Sequence, residues 1–264
     1  MAGRLRGPVG SQGEPWIRMT LTNIARSFAV VCTALLFALP ASAGEPRAVV
    51  ELFTSQGCSS CPPADRLLGE LAKDSSLVAL TMPVDYWDYL GWKDTLATPG
   101  HSARQRGYSR ERGDRQVYTP QAVVNGAVHA LGSSKAAIER AVAATRQDAD
   151  TLSLPVTITK GDGKLTVQVP AWKGSGKGEV WLCPVTKAVA VKIGRGENRG
   201  RTVTYHNVVR GWVKLGEWTG AAQTWSVPLK DVEGEHIDAV AVLVQRGAEK
   251  SPGAMVGASI AALR

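Results

Sequence analysis

The chain is poor in the residues and patterns that carry most familiar chemistries. Of its 264 residues only four are histidine and four are cysteine. His101, His129, His206 and His236 stand in no paired spacing, and a closed zinc site needs four ligands, so no metal is expected. No Gly-Lys-Ser/Thr follows a strand. The glycine-rich run Lys192 to Arg201 therefore reads as a long, basic, mobile hairpin tip rather than a phosphate cradle. Neither a Ser-His-Asp arrangement nor a pair of catalytic carboxylates can be argued from spacing, and no cofactor is expected. Basic residues outnumber acidic ones, 31 to 23, but they are dispersed, so no nucleic-acid surface is expected.

A bilayer-spanning run is also missing. The apolar segment Phe28 to Leu39 falls short of the roughly 20 residues a span requires. It follows Arg26 and precedes Ala41-Ser42-Ala43, the small-x-small pattern of a signal peptidase site. Residues 1–43 read as a cleaved signal segment, with the true start possible at Met19 and no stable membrane anchor after cleavage. That segment accounts for +3 of the net charge of +8, leaving +5. Export implies a periplasmic or secreted protein in an oxidising compartment. Cys32 leaves with the signal. Cys58, Cys61 and Cys183 remain, so at most one disulfide forms within the chain, and the local pair is the candidate.

What is present centres on Ala48 to Leu68. Val49, Val50, Leu52 and Phe53 form a short apolar run suited to a buried strand, and Gly57 allows a sharp turn. Cys58 and Cys61 then bracket the start of a helix whose apolar face is Ala64, Leu67, Leu68 and Leu71. Unpaired N–H groups and the helix dipole favour a thiolate at the first cysteine. Pro62 suits a helix start, so Cys58 is expected to be the more exposed sulfur and Cys61 the shielded one.

Downstream, Leu77 to Met82 reads as a strand parallel to the first, because a helix joins them. Tyr86, Trp87, Tyr89 and Trp92 crowd the next segment. Tyr86, Trp87 and Trp92 are candidates for a rim that contacts substrate, or for a lid of packed aromatics. Asp94 to Arg112 reads as helix, unbroken or split at Pro99-Gly100, with its charges on a solvated face. Pro120 opens a strand, Asn125-Gly126 turns a hairpin, and Ser133-Ser134 cap a helix from Lys135 to about Gln147. From Leu154 onward the period changes to two. Strands are expected at 154–159, 164–169, 179–183, 188–193, 201–206, 211–218, 224–229, 238–245 and 255–262. Cys183 reads as a buried strand cysteine.

This order, with Cys-x-x-Cys after the first strand and Thr119-Pro120 before the third, resembles the thioredoxin fold over residues 46–148. The resemblance implies a cis Pro120 against the cysteine pair and a Thr119 that offers backbone hydrogen bonds to a substrate chain. It implies Cys58 as attacking sulfur, Cys61 as resolving sulfur, and Glu51 as the buried acid that exchanges a proton with Cys61. Gly57-Cys58 stands where thioredoxins carry Trp-Cys. More narrowly, Val50 to Asp65 together with Val84-Asp85-Tyr86-Trp87-Asp88 is similar to a bacterial family of secreted thioredoxin-like proteins of unknown function. The expected fold class is thus an α/β thioredoxin-like domain (46–148) followed by an all-β sandwich-like domain (152–264). The β domain is expected to pack its own core and to modulate access to the site.

Two functions fit. One is an exported thiol–disulfide oxidoreductase acting on a protein or small-molecule thiol or disulfide. The other is a non-catalytic scaffold with a structural disulfide and a β-sandwich binding module.

Overall fold

The computed structural model describes residues 45–264 except Ser175; the expected signal segment and its cleavage site lie outside the described residues. Strand β1 (Ala48–Thr54) is buried along its whole length and pairs in parallel with β2 (Leu77–Pro83). Helix α1 (Pro62–Leu71) joins them, as a parallel pair requires. A second helix, α2 (Pro99–Arg112), starts at a Thr98 cap whose hydroxyl accepts from His101 N. It leads to β3 (Gln121–Val124) and β4 (Val128–Leu131), which are antiparallel. Their turn is Asn125-Gly126, both with positive φ (50° and 69°), as the Asn-Gly pair foretells. Helix α3 (Lys135–Thr145) follows a Ser134 cap.

Side chains of β1 alternate between two cores. Ala48, Val50 and Leu52 face α1 and α3, meeting Ala64, Leu67, Leu68, Ile138 and Val142. Val49 and Phe53 face the other way, toward Tyr108 of α2. That second core also contains Cys183, Val185, Val209, Ala241, Leu243 and Met255, all from beyond residue 150.

The later strands are β5 (Thr157–Gly161), β6 (Lys164–Val169), β7 (Gly178–Lys192), β8 (Thr202–Val209), β9 (Val213–Trp218), β10 (Gln223–Pro228), β11 (Ala239–Ala248) and β12 (Ser251–Ala262). They do not form a sandwich apart from the first half. β8 joins the edge of β2, giving one mixed sheet in the order β12-β11-β7-β8-β2-β1-β3-β4, with β9 on β7. The seam is a single parallel bridge, Thr81 to Val208, reinforced by Thr81 Oγ1 donating to His206 O (2.6 Å) and Asn207 Nδ2 donating to Ala79 O (3.0 Å). Among the described residues only β10-β6-β5 forms a separate sheet, and it stacks on β7, β11 and β12 over Leu165, Val167, Leu182, Trp218 and Val242. This is the sandwich-like part of the expectation. Its other layer is the shared sheet, and the described residues fall within one compact unit. The strands expected at 179–183 and 188–193 are one continuous β7 running through Pro184.

Among the described residues no helix is long and apolar enough to cross a membrane.

Candidate functional site

The turn between β1 and α1 holds the disulfide. Cys58 N donates to Ser55 O (3.1 Å) and Cys61 N to Cys58 O (3.2 Å), two tight turns in succession. They bring the cysteine Cα atoms to 5.4 Å, within the span a disulfide bridges, and Cys58 and Cys61 are bonded. Cys61 is the N-cap of α1 and Pro62 opens it, where a missing N–H costs nothing. The Thr119–Pro120 peptide is cis, as the resemblance implies. Ser60 Oγ lies 3.4 Å from Cys58 Sγ and 3.5 Å from the Thr119 carbonyl, so the two segments meet at the disulfide.

Cys58 is not the open sulfur the sequence suggests: it is 2 % exposed, against 0 % for Cys61. The β7–β8 hairpin is anchored on this turn rather than a free tip. Asn198, itself buried, donates from Nδ2 to both Gln56 O (3.0 Å) and Cys58 O (2.8 Å). Glu197 accepts from Ser59 N (3.2 Å), so a carboxylate already occupies one of the N–H groups at the turn. Trp92 donates from Nε1 to Gln56 Oε1 (2.8 Å), and its ring lies against Gly194, where a Cβ would come within 2.9 Å of it. Asp94 completes the clamp by accepting from Gln56 N (2.8 Å).

The aromatic rim divides. Trp87 donates from Nε1 to Thr119 Oγ1 (2.8 Å) and stacks on the exposed Tyr89, while Trp92 holds the cysteine turn. Tyr86 reaches α2, donating to Gln105 Oε1 (3.1 Å), and its hydroxyl also meets the Thr119 side chain; burial pushes that hydroxyl up to about 12.

Glu51 is not beneath the cysteines. It shares the face of Val49 and Phe53, opposite α1, and its carboxylate accepts from Arg104 Nε (2.7 Å) and from Tyr108 Oη. Arg104 also bonds Gln245 Oε1 (2.8 Å), tying α2 to β11. Burial is the largest single influence and works against the Arg104 charge, but the Glu51 charge, the Glu51 hydrogen bond and the neighbouring Tyr108 and Cys183 groups together outweigh it, so the pKa rises. These two charges, read as part of a proton relay and of a solvated face respectively, are a buried ion pair in the core.

The buried acid on the cysteine side is Asp65. It lies in the first turn of α1, one turn beyond Cys61, and its N–H donates to Cys61 O (3.1 Å). Positions four apart on a helix are neighbours, with Cβ atoms about 5–6 Å apart. Asp65 Oδ1 accepts from Thr54 Oγ1 (2.7 Å), while Oδ2 is buried without a partner. Burial raises its pKa from 3.8 to about 8, against the opposing pull of the Thr54 bond, so the carboxyl is mostly neutral at pH 7. A sequence signal for it existed. Cys61, Ala64, Asp65 and Leu68 form one stripe, and an acid on the apolar stripe of a helix is out of place unless it has a task. Asn198 and Glu197 had no such signal. Cys183 is fully buried on β7.

Comparison with known proteins fits one family. A protein from Agrobacterium tumefaciens with an X-ray structure from a structural genomics consortium is 36% identical, with 81% of this chain and 93% of that one covered and a TM-score of 0.73. HBP35 of Porphyromonas gingivalis is 12% identical over 83% of this chain and 76% of that one, with a TM-score of 0.53, a likeness of fold alone. No curated protein matches. The family model described as "Protein of unknown function (DUF1223)" matches residues 49–245, across both halves of the chain, and the chain belongs to that family.

Proposed function

We propose that this protein carries out thiol–disulfide exchange through Cys58 and Cys61, with Asp65 as the proton donor and acceptor for Cys61. The observation that carries the reading is the buried Asp65 carboxyl, one oxygen unpartnered, one helical turn from the disulfide. A substrate thiolate attacks Cys58 Sγ. A new S–S bond forms, the Cys58–Cys61 bond breaks, and its electron pair leaves on Cys61 Sγ. The neutral Asp65 carboxyl passes its proton to that thiolate. A second substrate thiol then displaces Cys58, so the substrate dithiol is oxidised to a disulfide and the cysteine pair is reduced. Run backward, Asp65 as carboxylate takes the Cys61 proton. The strand order β2-β1-β3-β4, parallel within β1–β2 and antiparallel elsewhere, supports the thioredoxin-like resemblance. Thr119, beside Trp87, is the place for the backbone of a bound substrate chain. A Cys58–Cys61 disulfide suits an oxidising, non-cytoplasmic compartment.

A second reading, a structural disulfide, is favoured by one observation, the burial of both cysteines. One experiment separates the two. Under exchange, Cys61→Ser incubated with oxidised glutathione accumulates a mixed disulfide at Cys58, and Cys58→Ser accumulates none. Equal, slow reaction of both variants at an ordinary thiol pKa sinks the exchange reading.

A further inference from the structure

On the α2 face of the sheet, away from the disulfide, lies a cavity of about 300 Å³ between α2, Trp181 of β7, Trp212 and the β11–β12 turn. It is at the small end of ligand cavities, enough for one or two fused rings. Its walls are two indoles, Trp181 and Trp212, set edge to face with centroids 6.1 Å apart. The Trp212 ring is held from one side by the Arg104 guanidinium, 4.3 Å from its centroid. Its Nε1 donor is nonetheless buried without an acceptor, an unfavourable state until something supplies one.

The rim is cationic. Arg106, Arg110 and Lys250 line it against a single carboxylate, Glu249. Arg110 donates to the Lys250 carbonyl (2.7 Å), which fixes the guanidinium in place without neutralising it. Among the described residues none of these three cations forms a salt bridge, whereas Arg104 behind them is compensated by Glu51. An apolar slot, an orphaned donor and an uncompensated positive rim together specify a ligand with a flat apolar body and an anionic acceptor group.

We propose that this cavity binds a small aromatic carboxylate, its ring against Trp181 and Trp212 and its carboxylate at Arg106 and Arg110. The site is independent of the cysteine chemistry, because no cavity-lining residue belongs to the disulfide turn.

The test is calorimetric titration of the full chain, disulfide intact, with 1-naphthoate and separately with the neutral 1-naphthalenemethanol. The acid is expected to bind one to one and about tenfold or more tighter than the alcohol at low salt, through charge-assisted hydrogen bonds. An Arg106→Gln/Arg110→Gln variant is expected to lose that advantage while binding the alcohol as before. Ala103→Trp, which fills the slot from α2 without changing charge, is expected to abolish both. Circular dichroism checks that each variant is folded. Absence of saturable binding up to millimolar naphthoate, equal affinity for acid and alcohol, or insensitivity to the double arginine substitution overturns the proposal.

Discussion

Replacing Asp65 with asparagine tests the site most directly, because the same substitution acts on two independent observables. In the folded protein burial lifts the Asp65 pKa from 3.8 to about 8. The unfolded chain gives up this proton near pH 4, while the folded chain keeps it until about pH 8. Between those values the native state binds one more proton than the unfolded state, so its stability falls as pH rises. The contribution is fully present below pH 4 and is lost on passing through pH 8. Four pH units at about 1.4 kcal/mol each amount to on the order of 5 kcal/mol. Asparagine keeps the shape and the Thr54 bond, places an unpartnered amide where Oδ2 sits, and does not titrate. At pH 4 the variant should be the less stable by about 1–2 kcal/mol. The difference should shrink and then reverse, leaving the variant ahead by several kcal/mol at pH 8.

Urea denaturation of both proteins in parallel, with the disulfide intact, measures that difference from pH 4 to 9 and cancels every other titrating group. The second observable is the rate at which dithiothreitol opens the Cys58–Cys61 bond at pH 7, followed by alkylation and mass spectrometry. Loss of a general acid should slow it about a hundredfold or more. A stability difference that stays flat across pH 4 to 8 refutes the buried neutral carboxyl. A pH-dependent stability with an unchanged opening rate leaves Asp65 buried and acidic but removes it from the chemistry.

Other substitutions divide the roles of the surrounding residues. Asn198→Ala removes both bonds to the cysteine turn and should cost about 2 kcal/mol in urea denaturation. It should also speed reduction of the disulfide; an unchanged rate would mean that the hairpin does not control access. Glu51→Gln leaves Arg104 as a buried uncompensated charge and should cost about 3–5 kcal/mol, while the rate of disulfide opening stays at the wild-type value. A fragment of residues 45–150 should show no cooperative unfolding by circular dichroism, because the core under α2 loses Val185, Val209, Leu243 and Met255 and β2 loses its β8 neighbour.

How much of this was legible in the sequence follows from how local each cause is. The β1–turn–α1 unit was readable because the apolar run, Gly57, the cysteines and Pro62 all act within twenty residues of one another. The Asn125-Gly126 hairpin was readable for the same reason. The face of Glu51 was also readable, but only by counting: it shares parity with Val49 and Phe53, whereas α1 packs on Val50 and Leu52. The thioredoxin resemblance points to Glu51, whereas Asp65, in the first turn of α1, holds the buried position on the cysteine side. The extension of the sheet was not readable. Strand β8 meets β2 through one bridge between residues 127 positions apart, and nothing in the alternation of either strand names its neighbour.

The same non-locality explains why the basic hairpin looked free. Arg195, Arg199 and Arg201 dominate its composition, but Glu197 and the uncharged Asn198 tie it to the cysteine turn, and the Asn198 amide finds its acceptors only because that turn presents two carbonyls to it. A tight turn leaves carbonyls that its own backbone cannot satisfy, and once such a turn is buried they need donors from elsewhere. The second half of the chain supplies them. It also supplies β8 at the β2 edge and half of the core under α2. The strands after residue 150 therefore complete the cysteine-bearing unit rather than decorate it. The hairpin that bonds the cysteine turn shares β7 with the Trp181 wall of the cationic cavity.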